Sequence, residues 1–259
     1  MSDLVRIDVR SGVAVVLVDN PPVNALSNEV VDALAHAAEQ LSADDSVRAV
    51  ILTGAGDKAF IAGADLAELS QALGSAAWIE DHTGRTRRML DLWEGIPQPV
   101  VGAVQASAVG GGLEIALVCD LLVADAAARF GLPEVRLGLM PGAGGTQRLP
   151  RRVGVGRAKE LLLLGGTIDA EEARRIGLVN RVASPGAALA TAGELAAKLA
   201  ALSSVAVRAI KSSVGSANGD IAHGLDTERA LFIQVFASQD ATEGVNAFVE
   251  KRPPAFAHR

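Results

Sequence analysis

Strand-like and helix-like segments alternate along the first half of the chain, and this alternation restricts the fold more than any other feature. Two short apolar segments, residues 4–9 and 13–18, flank the turn-forming residues Ser11 and Gly12, which predicts an opening β-hairpin. Apolar residues at helical spacing follow, and Ser27 is placed as the N-cap of that helix.

The same order continues further along the chain. A strand is predicted at residues 47–52, another at 99–105, a helix at 111–118 and an extended segment at 120–124. Because strands that alternate with helices build a sheet covered by helices, the predicted fold class is α/β.

Helical periodicity replaces the strand-like runs beyond about residue 145, so the last third of the chain is predicted to be helical. Ser184, Pro185 and Gly186 interrupt the pattern. We therefore divide the chain into an α/β core at residues 1–184 and a helical region at residues 185–259. The apolar faces of these last helices are suited either to cover the core or to meet another subunit.

Composition argues against several classes of protein. The chain carries 24 Lys and Arg against 30 Asp and Glu, a net charge of −6, so no general attraction to nucleic acid is expected. Its one cysteine, Cys119, cannot form an intrachain disulfide, which is typical of a reducing compartment. The sequence shows neither an apolar leader nor a charge-free stretch long enough to span a bilayer. We therefore expect a cytoplasmic protein that does not insert into membranes.

A triple glycine at residues 110–112 separates an apolar strand from an apolar helix. Glycine lets a ligand approach the backbone closely, and the first turn of a helix presents N–H groups without partners, which suits a developing oxyanion. Glu114 lies three residues after Gly111, so its carboxylate returns to the same side of the helix. The alternative is that the glycines only allow close packing and that Glu114 is a solvated helix residue.

A second loop of small residues, 62–66, leads into a helix, so its main chain is also open to a ligand. The preceding residues 54–59 match the GxGxxA pattern of dinucleotide-binding loops. However, residues 60–63 continue poorly as the helix that this fingerprint requires. An oxidoreductase with a bound dinucleotide is therefore disfavoured.

Glu134 stands in an otherwise apolar run between two turns, where a carboxylate is costly to bury unless it is paired or functional. The alternative is a surface glutamate in a loop. The glycines at 138–145 match no phosphate-binding motif, because a lysine is missing and Gln147 fills the last place. The sequence contains neither GxSxG nor HExxH, and its four histidines are widely separated, so no metal site is predicted.

Four segments carry most of the information about family. They are PPVNALS at residues 21–27, AFIAGADL at 59–66, AVGGGLEIALVCD at 108–120 and FGLPEVRLGLMPGAGGTQRL at 130–149. In order and separation they resemble the enoyl-CoA hydratase/isomerase (crotonase) family. Because AEEARRIGLVNRV and EGVNAFVEKRPPAF also resemble later segments of that family, the resemblance covers nearly the whole chain.

The resemblance implies a spiral of ββα units, followed by a helical C-terminal trimerisation region. It implies a homotrimer or a homohexamer, and an acyl-CoA substrate whose coenzyme A is part of the substrate rather than a separate cofactor. A role in fatty acid metabolism by β-oxidation is part of the same expectation.

By position in the matched motifs, the resemblance implies that the backbone N–H groups of Ala64 and Gly111 form an oxyanion hole for the thioester carbonyl. It makes Glu114 and Glu134 the acid/base pair. The residues that it places against the substrate are Ala25, Lys58, Ala62, Gly63, Asp65, Leu66, Gly110, Pro133 and Gly142.

The sequence departs from the family pattern at Ala67, where many members carry a basic residue. This departure puts one contact with a CoA phosphate in doubt, and Lys58 and the adjacent subunit's Lys251 are candidates to replace it. Residues 68–95 follow no member closely, and we expect that segment to shape the acyl pocket.

Hydration of a conjugated thioester needs a nucleophile made from water, a proton for the α-carbon and stabilisation of negative charge on the carbonyl oxygen. Two carboxylates and two N–H donors supply all three. Family members that only isomerise commonly lack one of the two glutamates, so both glutamates together favour an enoyl-CoA hydratase. The family mechanism assigns water activation mainly to Glu114 and protonation of the α-carbon mainly to Glu134.

Two alternatives remain open at the level of sequence. The first is another reaction of the family on an acyl-CoA, namely isomerisation, decarboxylation or carbon–carbon hydrolysis. The second is a non-catalytic binding protein on the same fold, against which the acidic balance and the complete pair of glutamates argue.

Overall fold

The computed structural model describes residues 4–259, apart from the side chain of Asn218. Its strands are β1 (Val5–Arg10), β2 (Val13–Val18), β3 (Ala49–Gly54), β4 (Ala59–Ile61), β5 (Val100–Val104), β6 (Ser107–Val109), β7 (Leu121–Asp125), β8 (Arg129–Gly131), β9 (Thr167–Asp169) and β10 (Arg181–Ala183). Its helices are α1 (Asn28–Ser42), α2 (Leu66–Ala72), α3 (Ala76–Gly95), α4 (Gly111–Ala116), α5 (Gly145–Val153), α6 (Val155–Leu164), α7 (Ala170–Arg175), α8 (Ala188–Ala200), α9 (Ser204–Gly215), α10 (Ile221–Phe236) and α11 (Gln239–Val249). Short 3-10 helices span Glu134–Leu137 and Ser216–Asn218.

The larger sheet has the strand order β1-β2-β3-β5-β7-β10, and every neighbouring pair except β1 and β2 is parallel. The predicted hairpin at its edge is confirmed, because β1 and β2 are antiparallel and Val5 lies opposite Val18. Ser11 and Gly12 take φ values of 50° and 78°, the left-handed conformation that a tight two-residue hairpin turn requires.

Side chains of the larger sheet alternate between two cores. Val50 and Leu52 of β3 face the main core, which also holds residues of α1 and α3. Ala49 and Ile51 of the same strand face a smaller core that α8 covers. The all-apolar sequence of β3 therefore reflects burial on both faces, as expected for a parallel strand between helices.

The N-cap predicted for α1 is confirmed. Ser27 Oγ accepts a hydrogen bond from Val30 N at 3.3 Å, which satisfies one of the free N–H groups at the start of the helix. The strand predicted at residues 47–52 begins two residues later, at Ala49, because Val47 N donates to Asp44 O in a turn at 3.2 Å.

A second, smaller sheet has the strand order β4-β6-β8-β9. Each of β3, β5 and β7 runs in the larger sheet and is followed by a short strand in the smaller sheet and then by a helix. Three-residue strands are too short to show a period of two residues, so the sequence did not predict β6 or β8. This repeated path is the spiral of ββα units that the resemblance implied.

The helices after residue 185 do not behave alike. Ala192, Ala196 and Ala200 of α8 pack against the larger sheet. By contrast, α9, α10 and α11 carry most of the large exposed apolar side chains of the C-terminal region. The division of the chain at residue 184 stays a prediction, and the structure adds that α8 covers the sheet of the core.

Within residues 4–259, no single helix has the length and apolar character needed to cross a bilayer, and only the bent pair α8 and α9, at 108°, meets that test together.

Candidate active site

Three short parallel strands bring the predicted site residues to one edge of the smaller sheet. β4, β6 and β8 are neighbours in that sheet, and Ala64, Gly111 and Glu134 follow their carboxyl ends within three residues. Because the carboxyl ends of parallel strands meet at the same edge, groups from distant parts of the chain converge there. Gly110 N donates to Gly131 O at 2.9 Å and ties two of these strand ends together.

The Ala64 and Gly111 amides lie close to one another. A Cβ atom placed on Gly111 would lie 3.6 Å from Ala64 N, and one on Gly63 would lie 3.0 Å from Gly111 N. Leu26 pairs with Ala64 in a parallel bridge, in which Leu26 N donates to Gly63 O at 2.8 Å and Asp65 N donates to Leu26 O at 3.4 Å. Since these bonds use the groups on either side of Ala64, its own N–H points away from Leu26. Gly111 is the first residue of α4, where helical N–H groups lack partners within the helix.

Glycine is required at the start of α4 for steric reasons. Gly110 has φ of 56°, and a Cβ there would lie 3.1 Å from Glu134 Oε1. A Cβ on Gly112 would collide with the carbonyl oxygen of Ile61. The close packing of α4 against β4, which was the alternative explanation of the glycines, is therefore present, and Gly111 remains the first residue of that helix.

Glu114 is buried, with 3% of its surface exposed. Its Oε1 accepts hydrogen bonds from Ala143 N and Gly145 N, both at 2.8 Å. Burial raises the pKa of this carboxyl above its usual value, and the two N–H donors and the charge of Arg148 partly offset that rise. Glu114 is thus a fixed carboxylate in a poorly solvated position, so it is not the solvated helix residue of the alternative.

Glu134 opens the 3-10 helix that follows β8 and is half-buried. Its Oε1 lies over Gly110, and its buried Oε2 has no hydrogen-bond partner among the residues described. Burial raises the pKa of Glu134, and the charge of Glu114 raises it further. The two carboxyl groups therefore act on each other electrostatically, which two unrelated surface glutamates would not do.

The remaining predicted substrate residues lie on the segments that border this edge. Ala62, Gly63 and Asp65 lie in the loop between β4 and α2, and Leu66 is the first residue of α2. Asp65 Oδ1 caps this helix by accepting from Ala67 N at 2.8 Å. Ala25 directly precedes Leu26, which forms the bridge, and Gly110 directly precedes the start of α4. Pro133 directly precedes Glu134, and Gly142 directly precedes Ala143. Lys58 lies in the exposed turn between β3 and β4, and no hydrogen bond or ion pair of the described structure joins it to the other site residues.

The segment expected to shape the acyl pocket forms α2 and α3. Trp78 and His82 of α3 stack with ring centroids 4.7 Å apart, and His82 Nδ1 lies 3.0 Å from Asn28 Oδ1. Asn28 N in turn donates to Glu68 Oε2 of α2 at 3.4 Å. These contacts attach α2 and α3 to the start of α1, just after the bridge to Ala64.

The glycine-rich segment at 141–145 has a role that the sequence reasoning missed. It binds no phosphate in a recognised motif, but its amides at Ala143 and Gly145 hold the Glu114 carboxylate. The signal available in the sequence was the run of glycines just before a helix, which is typical of anion binding by backbone amides, here for an internal carboxylate.

Asn24 is a second missed residue. Its Nδ2 lies within hydrogen-bond distance of the carbonyl oxygens of Ala55, Ala59 and Phe60, at 2.9, 3.1 and 3.1 Å. This buried side chain fixes the turn that leads into β4 and the Ala64 loop. Its left-handed φ of 56° is a conformation that asparagine tolerates better than most residues.

The GxGxxA match at residues 54–59, which the sequence already disfavoured as a dinucleotide-binding loop, does not form one. The residues that would have to begin its helix form β4 instead, so the fingerprint lacks its required context. Across the part of the chain that the structure describes, no three His, Cys, Asp or Glu side chains are grouped so that they could hold a metal ion.

Comparison with known proteins gives a consistent result. The family model of enoyl-CoA hydratase/isomerase matches residues 8–259. The short-chain-enoyl-CoA hydratase of Clostridium acetobutylicum is 41% identical over 96% of this chain and 95% of its own length. The crotonyl-CoA hydratase of Syntrophomonas wolfei is 40% identical over 94% of each chain. A solved enoyl-CoA hydratase from Bacillus anthracis matches with a TM-score of 0.95 at 37% identity, and covers 99% of this chain and 100% of that one.

Proposed function

The chain belongs to the enoyl-CoA hydratase/isomerase family, and from this membership we infer that it is an enoyl-CoA hydratase, which adds water reversibly to a trans-2-enoyl-CoA to give the 3-hydroxyacyl-CoA. The α/β fold predicted from the sequence pattern is the crotonase-like spiral that the resemblance implied. The observation that carries the function is that Glu114 and Glu134 converge with the amides of Ala64 and Gly111 at one sheet edge.

The two amides are proposed to bind the thioester oxygen of the substrate. Negative charge develops on that oxygen when the double bond is attacked, and an enolate forms. Backbone N–H groups that are already in place stabilise this charge without reorganisation, and losing one such donor costs about 3 kcal/mol of the activation free energy.

Glu114 is proposed as the base that activates water. Both hydrogen bonds from Ala143 N and Gly145 N end on Oε1, which leaves Oε2 to take a proton from the water molecule. As the proton leaves, the water oxygen forms its bond to C3. The electron pair of the C2–C3 double bond then moves towards the carbonyl and gives the enolate.

Glu134 is proposed as the acid that completes the addition. Its buried Oε2, unpartnered among the described residues, suits a protonated carboxyl that delivers its proton to C2 and restores the thioester carbonyl. One proton must then pass from Glu114 to Glu134, directly or through solvent, before the next turnover. Because the two groups are coupled, the proton of the resting enzyme belongs to the pair.

The test is to mix purified protein with crotonyl-CoA and to follow the loss of absorbance of the conjugated thioester. We expect turnover by the wild type, and large losses for Glu114→Gln and Glu134→Gln with CoA binding retained. Glu194→Gln, at an exposed position of α8, serves as a matched control that should turn over normally. Wild-type activity in both variants would contradict the hydratase mechanism, and a protein that only shifts the double bond of a 3-enoyl-CoA would be an isomerase.

We also propose that the protein assembles as a homotrimer, alone or paired into a hexamer, through its last helices. An apolar cavity of about 310 Å³ lies between α9 and α10, and Phe232 and Phe236 of α10 are 65% and 72% exposed. Phe248 of α11 is 86% exposed. Apolar surface of this extent is typical of a subunit interface.

Light scattering coupled to gel filtration tests this assembly. The wild type should have three or six times the 26.5 kDa mass of one chain. Phe232→Glu should shift it towards the monomer, because a charge would be buried without a partner at the interface. Val9→Glu places the same charge on exposed β1 and should leave the mass unchanged. A wild-type monomer at micromolar concentration would contradict the proposal.

The proposed location is the cytoplasm, and the proposed pathway is the β-oxidation of fatty acids.

The reaction is proposed to need no cofactor beyond the CoA that the substrate carries. Cys119 is a buried free thiol, and burial raises its pKa to about 12, so this thiol is unreactive. Dialysis against a metal chelator should leave crotonyl-CoA turnover unchanged, and a loss that added metal restores would contradict the cofactor proposal.

A further inference from the structure

We propose that Arg148 is a positioning residue for the reaction, because its guanidinium group fixes the loop whose amides hold Glu114. The proposal rests on the proposed function and adds to it a residue that touches neither the substrate nor the reacting atoms. Arg148 lies one turn into α5, and its side chain is 17% exposed.

The guanidinium group of Arg148 connects the loop with α3. Its Nη1 donates to Ala143 O at 3.1 Å, and its Nε and Nη2 donate to Glu94 Oε2 at 3.2 and 2.7 Å. Asp91 Oδ1 lies 3.7 Å from Nη2. A planar group that holds a carbonyl on one side and carboxylates on the other is a rigid connection, which a lysine would not reproduce.

The loop is shaped around this arginine. Gly144 has φ of 100°, and a Cβ placed on it would collide with the Arg148 guanidinium group. Ala143 is therefore held from two directions, because its carbonyl oxygen accepts from Arg148 while its N–H donates to Glu114 Oε1. Gly145, which supplies the other amide, is the first residue of α5.

The far end of this connection is anchored in the core. Glu94 follows Trp93, which is 1% exposed and donates from Nε1 to Leu34 O at 3.0 Å. This series of contacts therefore connects the buried Trp93, through Glu94 and Arg148, to Ala143 and the carboxylate of Glu114. A displacement of about 1 Å in a catalytic group can lower the rate by about 100-fold. Loss of this connection should therefore lower the rate measurably.

Charged groups of two elements are linked to Glu114. Arg148 of α5 lowers the pKa of Glu114, and the charge of Glu114 in turn raises the pKa of Glu134 on the 3-10 helix. On the other side of the guanidinium group, Glu94 and Asp91 of α3 share the positive charge. Removal of Arg148 should therefore raise the pKa of Glu114, and the acid limb of the pH–rate profile should move to higher pH.

The experiment compares Arg148→Met with Arg151→Met. Arg151 lies on the same helix but is exposed and bonds only to Gln147 O within the described structure. Three quantities are measured for each variant: kcat and KM for crotonyl-CoA over a range of pH, the titration of the Glu114 carboxyl by carbon-13 NMR, and thermal unfolding. The NMR signal is assigned by its loss in Glu114→Gln.

For Arg148→Met we expect kcat to fall by about 10- to 100-fold with a smaller change in KM, and the Glu114 titration to move to higher pH. Arg148→Lys should restore part of the titration shift but little of kcat, because lysine keeps the charge and loses the planar connection. Arg151→Met should match the wild type in all three measurements.

If Arg148→Met leaves both kcat and the Glu114 titration unchanged, or if Arg151→Met causes equal losses, the proposal is wrong. Should Arg148→Met fail to fold, Glu94→Gln carries the test. This variant loses the connection to α3 but keeps the Arg148 charge, so kcat should fall by a smaller factor while the Glu114 titration does not move to higher pH, and an unchanged kcat would contradict the proposal. A wild type that does not hydrate crotonyl-CoA would contradict the proposed function, while the NMR titration would still report whether Arg148 controls Glu114.

Discussion

The two glutamates of the site come from regions that are built in different ways. Glu114 lies on α4 inside the core, and two backbone amides fix its carboxylate. Glu134 begins a short 3-10 helix whose following residues are exposed, and one of its oxygens has no partner in the described part of the chain. In the proposed mechanism, the base therefore comes from a closed region and the acid from a more open one.

The largest expected effect comes from the closed region. Glu114→Gln should lower kcat by about 10⁴-fold, because solvent cannot replace a base that is 3% exposed. The amide oxygen of glutamine can still accept from Ala143 N and Gly145 N, so the fold and CoA binding should persist. Stopped-flow measurement of turnover and calorimetric measurement of CoA binding check both expectations. A smaller loss of kcat in Glu114→Gln than in Glu134→Gln would contradict the expected order of the two regions.

The second effect concerns the open region. Glu134→Gln should lower kcat by about 100- to 1,000-fold, because glutamine cannot deliver a proton but water can reach a half-buried turn. Exchange of the α-proton of a 3-hydroxyacyl-CoA with deuterated water, followed by NMR, should slow by a similar factor. Unchanged exchange would show that Glu134 does not protonate C2.

A smaller effect should follow from Gly110→Ala. The added Cβ would lie 3.1 Å from Glu134 Oε1 and would push that carboxyl aside, so we expect kcat to fall by about tenfold while the Glu114 contacts persist. Gly186→Ala is a matched control, because its φ is also positive, at 76°, and no atom lies within 4 Å of its added Cβ. Equal losses of turnover in the two variants would attribute the effect to backbone strain alone.

The smallest expected effect is on stability, and it separates the two regions by pH. Burial raises both pKa values above 4.5, so the folded protein holds these protons more tightly than the unfolded chain, and this stabilisation is lost as the pH rises through the folded pKa values. Glu114→Gln should therefore gain thermal stability relative to the wild type as the pH rises above about 4.5 and through the folded pKa of Glu114, and Glu134→Gln should gain less. A pH-independent difference in melting temperature would contradict the raised pKa values.

Several elements were predictable from the sequence because their signals are local. The hairpin of β1 and β2 follows from two apolar runs around Ser11 and Gly12, and the start of α1 follows from Ser27. The burial of Glu114 was not predictable in the same way, because an exposed and a buried helix glutamate have the same local sequence.

Matching of motifs named the site residues, but it gave no reason for their meeting. Their convergence depends on β4, β6 and β8, each of three residues, which carry no periodic signal. The role of the Ala143 and Gly145 amides was missed for a related reason, because the carboxylate that they bind belongs to Glu114, about 30 residues earlier in the chain.

The sequence by itself determined the alternation of strands and helices, the hairpin turn at Ser11 and Gly12, the cap of α1 at Ser27, and the presence of two glutamates in a recognisable order. These features depend on neighbours within a few residues, where propensity and side-chain spacing act directly. Only the tertiary structure decided that Glu114 is buried, that Glu134 lies over Gly110, and that Arg148 joins the Ala143 loop to α3. Such contacts join residues far apart in the chain, and their strength depends on burial and dielectric surroundings that only the packed fold creates.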